Sequence, residues 1–238
     1  MEQPIDMPAI FDKINQRGLF RTITRYSYLP YNMNLAMQVV DAIGKKRNPK
    51  FQIDHENRFT YENLIRWIHA DPEMKRLDPA TKEVVSGRLD AGIYLAGNTG
   101  SGKSWTLEIM AAYCLIDNVQ IALGETKRCL YWSNVRTGAV CDEYTATGSV
   151  ERFKKMNIIG IQDLGAEPPE SMYMGNRINV MRQILEHRGD QTDQLTLITS
   201  NLPMNHKRLV DRYDDRVASR LNEMCNYFEI TGTDRRKI

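Results

Sequence analysis

The stretch Gly97-Asn98-Thr99-Gly100-Ser101-Gly102-Lys103-Ser104 fits the pattern G-x-x-x-x-G-K-S and constrains what can surround it. The apolar run Ile93-Tyr94-Leu95-Ala96 comes immediately before it, and an amphipathic stretch from Trp105 to Leu115 follows. The local order is therefore strand, loop, helix. Glycines let the backbone N–H groups of such a loop close around phosphate oxygens, because only Gly takes the required dihedrals cheaply. The N-terminus of the following helix adds a favourable dipole. Lys103 is placed to reach β and γ phosphates, and Ser104 to bind Mg2+ through its hydroxyl. The loop implies a nucleoside triphosphate; its use must be read from the rest of the chain.

With 238 residues the chain suits one large domain, or an α/β domain with a small appendage. Lys+Arg of 32 against Asp+Glu of 30 leaves a net charge of +2, so any nucleic-acid contact must come from local patches. Cys114, Cys129, Cys141 and Cys225 are widely spaced and read as core or strand residues of a reducing compartment, not as a zinc site or disulfide framework. The first residues lack the character of a signal peptide, and no apolar run approaches the roughly 20 residues of a membrane span. The expectation is a soluble, cytoplasmic protein without membrane contact.

Along the chain, Arg17, Arg21 and Arg25 recur every fourth residue beside Tyr26, Tyr28 and Tyr31, a pattern of a solvated helix face or of a single-stranded nucleic-acid surface. Leu35, Val39, Val40 and Ile43 predict a helix stopped by Gly44, with Lys45-Lys46-Arg47 complementing its end. Thr60 is the expected cap of a helix carrying Tyr61, Leu64, Ile65 and Ile68. Asp78-Pro79 predicts a further short helix to Gly87. Then come a strand over 128–132, a helix over 135–144, strands over 157–163 and 195–200, a helical region over 205–224 and a last strand over 226–231. Helices alternating with apolar strands imply a mainly parallel sheet covered on both faces.

Phosphoryl transfer needs a metal, a positioned water and charge stabilisation. Asp163, at the end of the apolar strand Ile158–Ile161, supplies the metal or water contact. Asn201 ends the strand Leu195–Ser200 and could orient the attacking water if that strand lies beside the phosphate-loop strand. Arg208, Arg212, Arg216 and Arg220 repeat among acids. They suit an ion-paired helix face, with one of them available as an arginine finger toward a neighbouring subunit.

In order, GNTGSGKS, IIGIQDLGAEP, TSNLP and RVASRLNEM resemble the AAA+ ATPases of the DnaC helicase-loader and IstB transposition-ATPase group over residues 50–238. The resemblance implies an α/β P-loop NTPase of AAA+ type with a parallel sheet in the order 5-1-4-3-2. A mostly helical region would occupy 1–75 and the ATPase domain 76–238. It further implies ATP and Mg2+ as cofactors, ATP-dependent homo-oligomers and contact with DNA, single-stranded above all. The implied protein partner is a replicative helicase, or a transposase for IstB-like members. Gly97 to Ser104 match the family's phosphate loop, Asp163 its Walker B motif, Asn201 its sensor asparagine and Arg220 its arginine finger, with Arg216 as second choice. Arg235 or Arg236 resembles its closing arginine.

The family's Walker B usually ends in two acids, whereas this chain has Gln162-Asp163. An amide on the metal side removes a negative charge facing the cation, so Mg2+ should bind more weakly and hydrolysis be slow. On this reading Gln162→Asp raises turnover. Glu167 is the nearby acid able to compensate. Other classes are a small-metabolite P-loop kinase, for which the arginine series would form a lid, and a module that holds ATP without hydrolysing it. No Asn-Lys-x-Asp motif supports guanine recognition. Residues around Arg88 and Leu89 are the expected base pocket.

Overall fold

In the computed structural model, which describes residues 6–16, 23–26, 28, 30–116, 119–123, 126–232 and 234–235, the chain opens with helix α1 (Met7–Gln16) and strand β1 (Ile23–Arg25). Helices α2 (Met33–Arg47) and α3 (Arg58–Ile68) precede a hairpin, β2 (Lys75–Leu77) and β3 (Val84–Ser86). The phosphate-loop strand β4 (Gly92–Gly97) leads into α4 (Lys103–Ile116). Next come an antiparallel pair, β5 (Gln120–Leu123) and β6 (Thr126–Cys129), then β7 (Ser133–Arg136), α5 (Thr137–Thr147) and α6 (Glu151–Lys155). Strand β8 (Ile158–Leu164) is followed by a small hairpin, β9 (Ser171–Tyr173) and β10 (Asn176–Ile178). Helix α7 (Val180–Gly189), strand β11 (Leu195–Ser200), helices α8 (Lys207–Tyr213) and α9 (Asp215–Met224), and strand β12 (Cys225–Ile230) complete the described chain.

The central sheet has the order β3-β2-β12-β4-β11-β8-β7. From β12 to β7 every pairing is parallel, while β2 joins β12 antiparallel and carries β3 outside it. Numbered in chain order from β4, the parallel strands run 5-1-4-3-2. Residues of β4 alternate between two cores: Ile93 and Leu95 pack with α2, α3 and α4, whereas Tyr94 and Ala96 pack with α5, α7, α8 and α9. That alternation is the pleat of a strand buried on both faces, which is why the sequence reads as a continuous apolar run. Val40, Phe51 and Tyr61, from the first third of the chain, share one core with Ile93 and Leu107.

Several local expectations are corrected. Residues 75–86 form a hairpin rather than a helix. Asp78 Oδ1 accepts from the N–H groups of Ala80 and Thr81 at 2.8 and 2.9 Å, and Lys82 takes φ 64°, so the Asp-Pro pair caps a turn. Helix α2 runs through Gly44 to Arg47; the glycine stands where the Phe51 ring leaves no room for a Cβ. Asn57 precedes α3, and Thr60 lies within the helix with its hydroxyl toward Glu229 O at 3.4 Å. The central strand after the β5–β6 pair is 133–136 rather than 128–132. Asp214, at φ 77°, divides the last helical region; its Oδ1 accepts from Val217 N at 3.0 Å and starts α9. Arg25 is not on a solvated stripe: its guanidinium packs 4.7 Å from the Trp67 ring centre and donates to Trp67 O. Arg17 and Arg21 lie outside the described residues. All four cysteines are free thiols. Among the described residues no helix is long and apolar enough to cross a membrane.

Candidate nucleotide-binding site

Strands β4, β11 and β8 are neighbours, with Ser200 paired to Ala96 on one side and to Leu164 on the other. Their C-terminal ends therefore open onto one edge, where ligands of open α/β sheets bind. A cleft of about 360 Å³ lies there, lined by the phosphate loop together with Ser104, Asp163, Asn201, Arg136 and Arg235. The sequence-predicted Lys103, Ser104, Asp163 and Asn201 thus meet in one place.

The loop is shaped by its glycines. Gly102 has φ 98°, and a Cβ on Gly97 would stand 2.2 Å from Ile230 O on β12. Lys103 is only 5% exposed, and its Nζ donates to Gly97 O at 2.8 Å, Asn98 O at 2.7 Å and Asn201 Oδ1 at 2.9 Å. Asn201 Nδ2 donates in turn to Thr99 Oγ1 at 3.3 Å, so the end of β11 is tied to both flanks of the loop. Ser101 Oγ is buried and has no hydrogen-bond partner among the described residues. Three oxygens around an ammonium and an orphaned hydroxyl in a left-handed turn fit a triphosphate, whose oxygens would take their places.

Asp163 reaches the cleft through a bulge. Ile198 pairs with Ile161, but Ser200 pairs with Leu164, so β8 spends three residues where β11 spends two. Ile159, Ile161 and Leu164 all enter the core beneath α5 and α7, a spacing that skips Asp163. Asp163 sits at φ 63°, its N–H donates to Thr199 Oγ1 at 3.0 Å, and its carbonyl accepts from Thr137 Oγ1 at 3.0 Å. Its carboxylate makes no hydrogen bond or ion pair among the described residues. No group of three metal-ligating side chains occurs among those residues. Mg2+ takes one or two carboxylates together with phosphates and waters, so Asp163 and the Ser104 hydroxyl still form a suitable donor set.

Gln162 points away from the cleft's open side. It is 4% exposed, and its Nε2 donates to Ser104 O at 3.4 Å and Glu108 Oε1 at 3.2 Å on α4. Glu167 does not supply a spare acid. Its Oε2 accepts from Gly165 N at 2.9 Å, and its Oε1 accepts from Arg212 Nε at 3.3 Å and from the Tyr213 hydroxyl. Burial and then that carboxylate push the Tyr213 hydroxyl well above its ordinary pKa, keeping it a neutral donor.

Arg220 does not line this cleft; it pairs with Asp190. Arg216 is exposed. Arg235 binds Gly100 O through its N–H at 3.0 Å, and its guanidinium holds Asp54 at 2.9 Å and Glu56 at 3.2 Å. Arg236 lies outside the described residues. The base-pocket expectation fails: Arg88 binds Glu223 O and Asp90, next to the start of β4 and away from the loop. A small recess lined by Phe51, Tyr61 and Trp105 adjoins Ser101 and Gly102. Arg136 was missed because it ends a strand that the sequence placed too early; its side chain has no polar partner among the described residues.

No family model matches the sequence, and no curated protein matches it. Among solved structures, the chain is similar to a candidate primosome component from Streptococcus pyogenes serotype M3, at 17% identity and TM-score 0.51, over 76% of this chain and 82% of that one. It is also similar to AMPPCP-bound DnaA from Aquifex aeolicus, at 14% identity and TM-score 0.46, over 79% of this chain and 50% of that one. The third is the DnaC helicase loader, at 14% identity and TM-score 0.46, over 77% of this chain and 94% of that one. The likeness to the first is one of fold.

Proposed function

We propose that this chain is a DnaC-like AAA+ replication accessory protein that binds ATP with Mg2+ in the cleft, hydrolyses it slowly and acts on a replicative helicase. The observation that carries the reading is the meeting of Lys103, Asp163 and Asn201 at the ends of neighbouring parallel strands. Lys103 offsets charge on the β and γ phosphates. Ser104 and Asp163 hold the cation or its water, and Asn201 orients the attacking water. When bound, Mg2+ neutralises charge on the phosphate oxygens. The base lies along the Trp105 edge of the cleft. The sequence resemblance to helicase loaders and the fold likeness to a candidate primosome component support this setting.

Arg220, or Arg216, completes a neighbouring subunit's site in an ATP-dependent homo-oligomer, and for this Arg220 exchanges Asp190 for the neighbour's nucleotide. Contact with DNA, single-stranded above all, belongs to the same reading and rests on the sequence resemblance alone. The test is sizing chromatography with and without ATP and Mg2+, paired with capture of a purified replicative helicase. Larger species should form only with nucleotide, and Arg220→Ala should remove them. A chain that stays monomeric under every condition refutes the assembly. Capture of a purified transposase but not of the helicase, in a parallel arm, moves the protein to the IstB-like branch. Gln162 favours one second reading, a module that holds ATP without turnover, which single-turnover hydrolysis measurements distinguish.

A further inference from the structure

Gln162 and Glu108 face each other across the junction of β8 and α4. A carboxylate only accepts hydrogen bonds, so the amide nitrogen of Gln162 must face Glu108 and the amide oxygen must turn away from it. The same nitrogen lies 3.4 Å from Ser104 O, so the amide spans the first turn of α4, from the residue expected to bind the cation to the carboxylate one turn later. Glu108 is held from its other side: Oε2 pairs with Arg47 at 2.7 Å, and Arg47 also lies over the Trp105 ring at 5.4 Å. Oε1 is thereby fixed toward Gln162.

We infer that Glu108 supplies, from the helix, the negative charge toward the divalent cation that Gln162 does not supply from the strand. This rests on the reading of the cleft as a Mg2+-nucleotide site. The pair carries one carboxylate in total, as a strand acid beside a neutral helix residue would, but with the two positions exchanged. Glu108 acts through Gln162 and the water around the cation, and is a positioning residue. One consequence reverses the expectation from sequence. Gln162→Asp alone removes the amide donor that orients Glu108 Oε1 and sets a shorter side chain in its place, so the added charge brings no better-formed cation site.

The experiment titrates Mg2+ against a fixed concentration of a fluorescent ATP analogue, using the full chain. Glu108→Gln should raise the half-saturating Mg2+ concentration about tenfold or more, the size typical for residues supporting metal ligands. Binding of the analogue in excess chelator should be unchanged. Gln162→Asp alone should not lower the half-saturation point, and the exchange variant Glu108→Gln with Gln162→Asp should return it to within about threefold of wild type. Arg47→Gln breaks the ion pair but keeps Glu108, and should leave the Mg2+ requirement at or below the wild-type level. If Glu108→Gln fails to fold, Glu108→Asp withdraws the charge by one methylene and should shift the same quantity in the same direction. An unmoved Mg2+ dependence, a gain from Gln162→Asp alone, or an equal rise with Arg47→Gln overturns the inference while nucleotide binding stands. A wild-type chain that binds no nucleotide overturns the proposed function and this inference with it.

Discussion

Lys103 and Asn201 meet across the cleft, Nζ to Oδ1 at 2.9 Å, joining the first residue of α4 to the residue that follows β11. Gly97 O and Asn98 O accept from the same ammonium, and of these acceptors the asparagine side chain is the one free to exchange when phosphate arrives. Lys103→Ala should weaken binding of a fluorescent ATP analogue about a hundredfold, the loss expected for charge-assisted bonds to phosphate. Asn201→Ala should leave that affinity within about threefold yet lower turnover on the order of a hundredfold, as for other groups that act mainly in the transition state. Equal losses of binding in both variants would assign Asn201 to holding nucleotide only.

Asp163 owes its place to the bulge in β8 and to a left-handed backbone that Asn and Asp tolerate better than most residues. Asp163→Asn should therefore keep the wild-type denaturation midpoint while suppressing hydrolysis. Asp163→Ala should also lose stability, by about 1 kcal/mol, because Ala takes positive φ at greater cost. Urea unfolding read beside ATPase rates separates backbone strain from charge, and matched midpoints for the two variants would exclude the strain.

Legibility from the sequence followed the range of the forces. Strands β4, β8, β11 and β12 are buried on both faces, so their apolar runs announce them without knowledge of their partners. Helix α3 shows itself through Tyr61, Leu64, Ile65 and Ile68, all buried. The short strands β2 and β3 did not, because β2 forms against Tyr227 of β12, far away in sequence, while the local Asp-Pro signal suits a helix start equally well. Within the site, Lys103 and Ser104 belong to a contiguous motif, and Asp163 and Asn201 end obvious strands. The partners of Gln162 and Glu167 depend on which faces of α4 and α8 meet β8 and its following loop. No spacing along the chain encodes that.

Glu167 and Tyr213 tie the turn after β8 to α8, with Arg212 on the same carboxylate oxygen. Tyr213→Phe removes one donor from a buried carboxylate and should cost about 1–3 kcal/mol in denaturant unfolding. Glu167→Gln should destabilise by a similar amount. Neither should change the Mg2+ requirement for nucleotide binding, since Glu167 is committed to Gly165, Arg212 and Tyr213. A raised Mg2+ requirement in Glu167→Gln would return that acid to the cation site.

Arg235 joins the chain's end to the loop before α3, and its hydrogen bond holds the Asp54 carboxyl below the usual carboxylate range, with a smaller contribution from Glu56 N–H. A carboxyl whose folded pKa is depressed stabilises the fold above its unfolded value of about 3.9, and that contribution is lost as pH falls through the folded value. Wild type should therefore exceed Asp54→Asn in urea midpoint at pH 7, and the gap should close as the pH is taken below about 4. Arg235 N–H also bonds Gly100 O, so the same acid step should loosen the phosphate loop's outer flank and weaken nucleotide binding in wild type more than in the variant. A midpoint gap that stays constant from pH 7 into the acid range would show that Asp54 stabilises by packing and not by its charge.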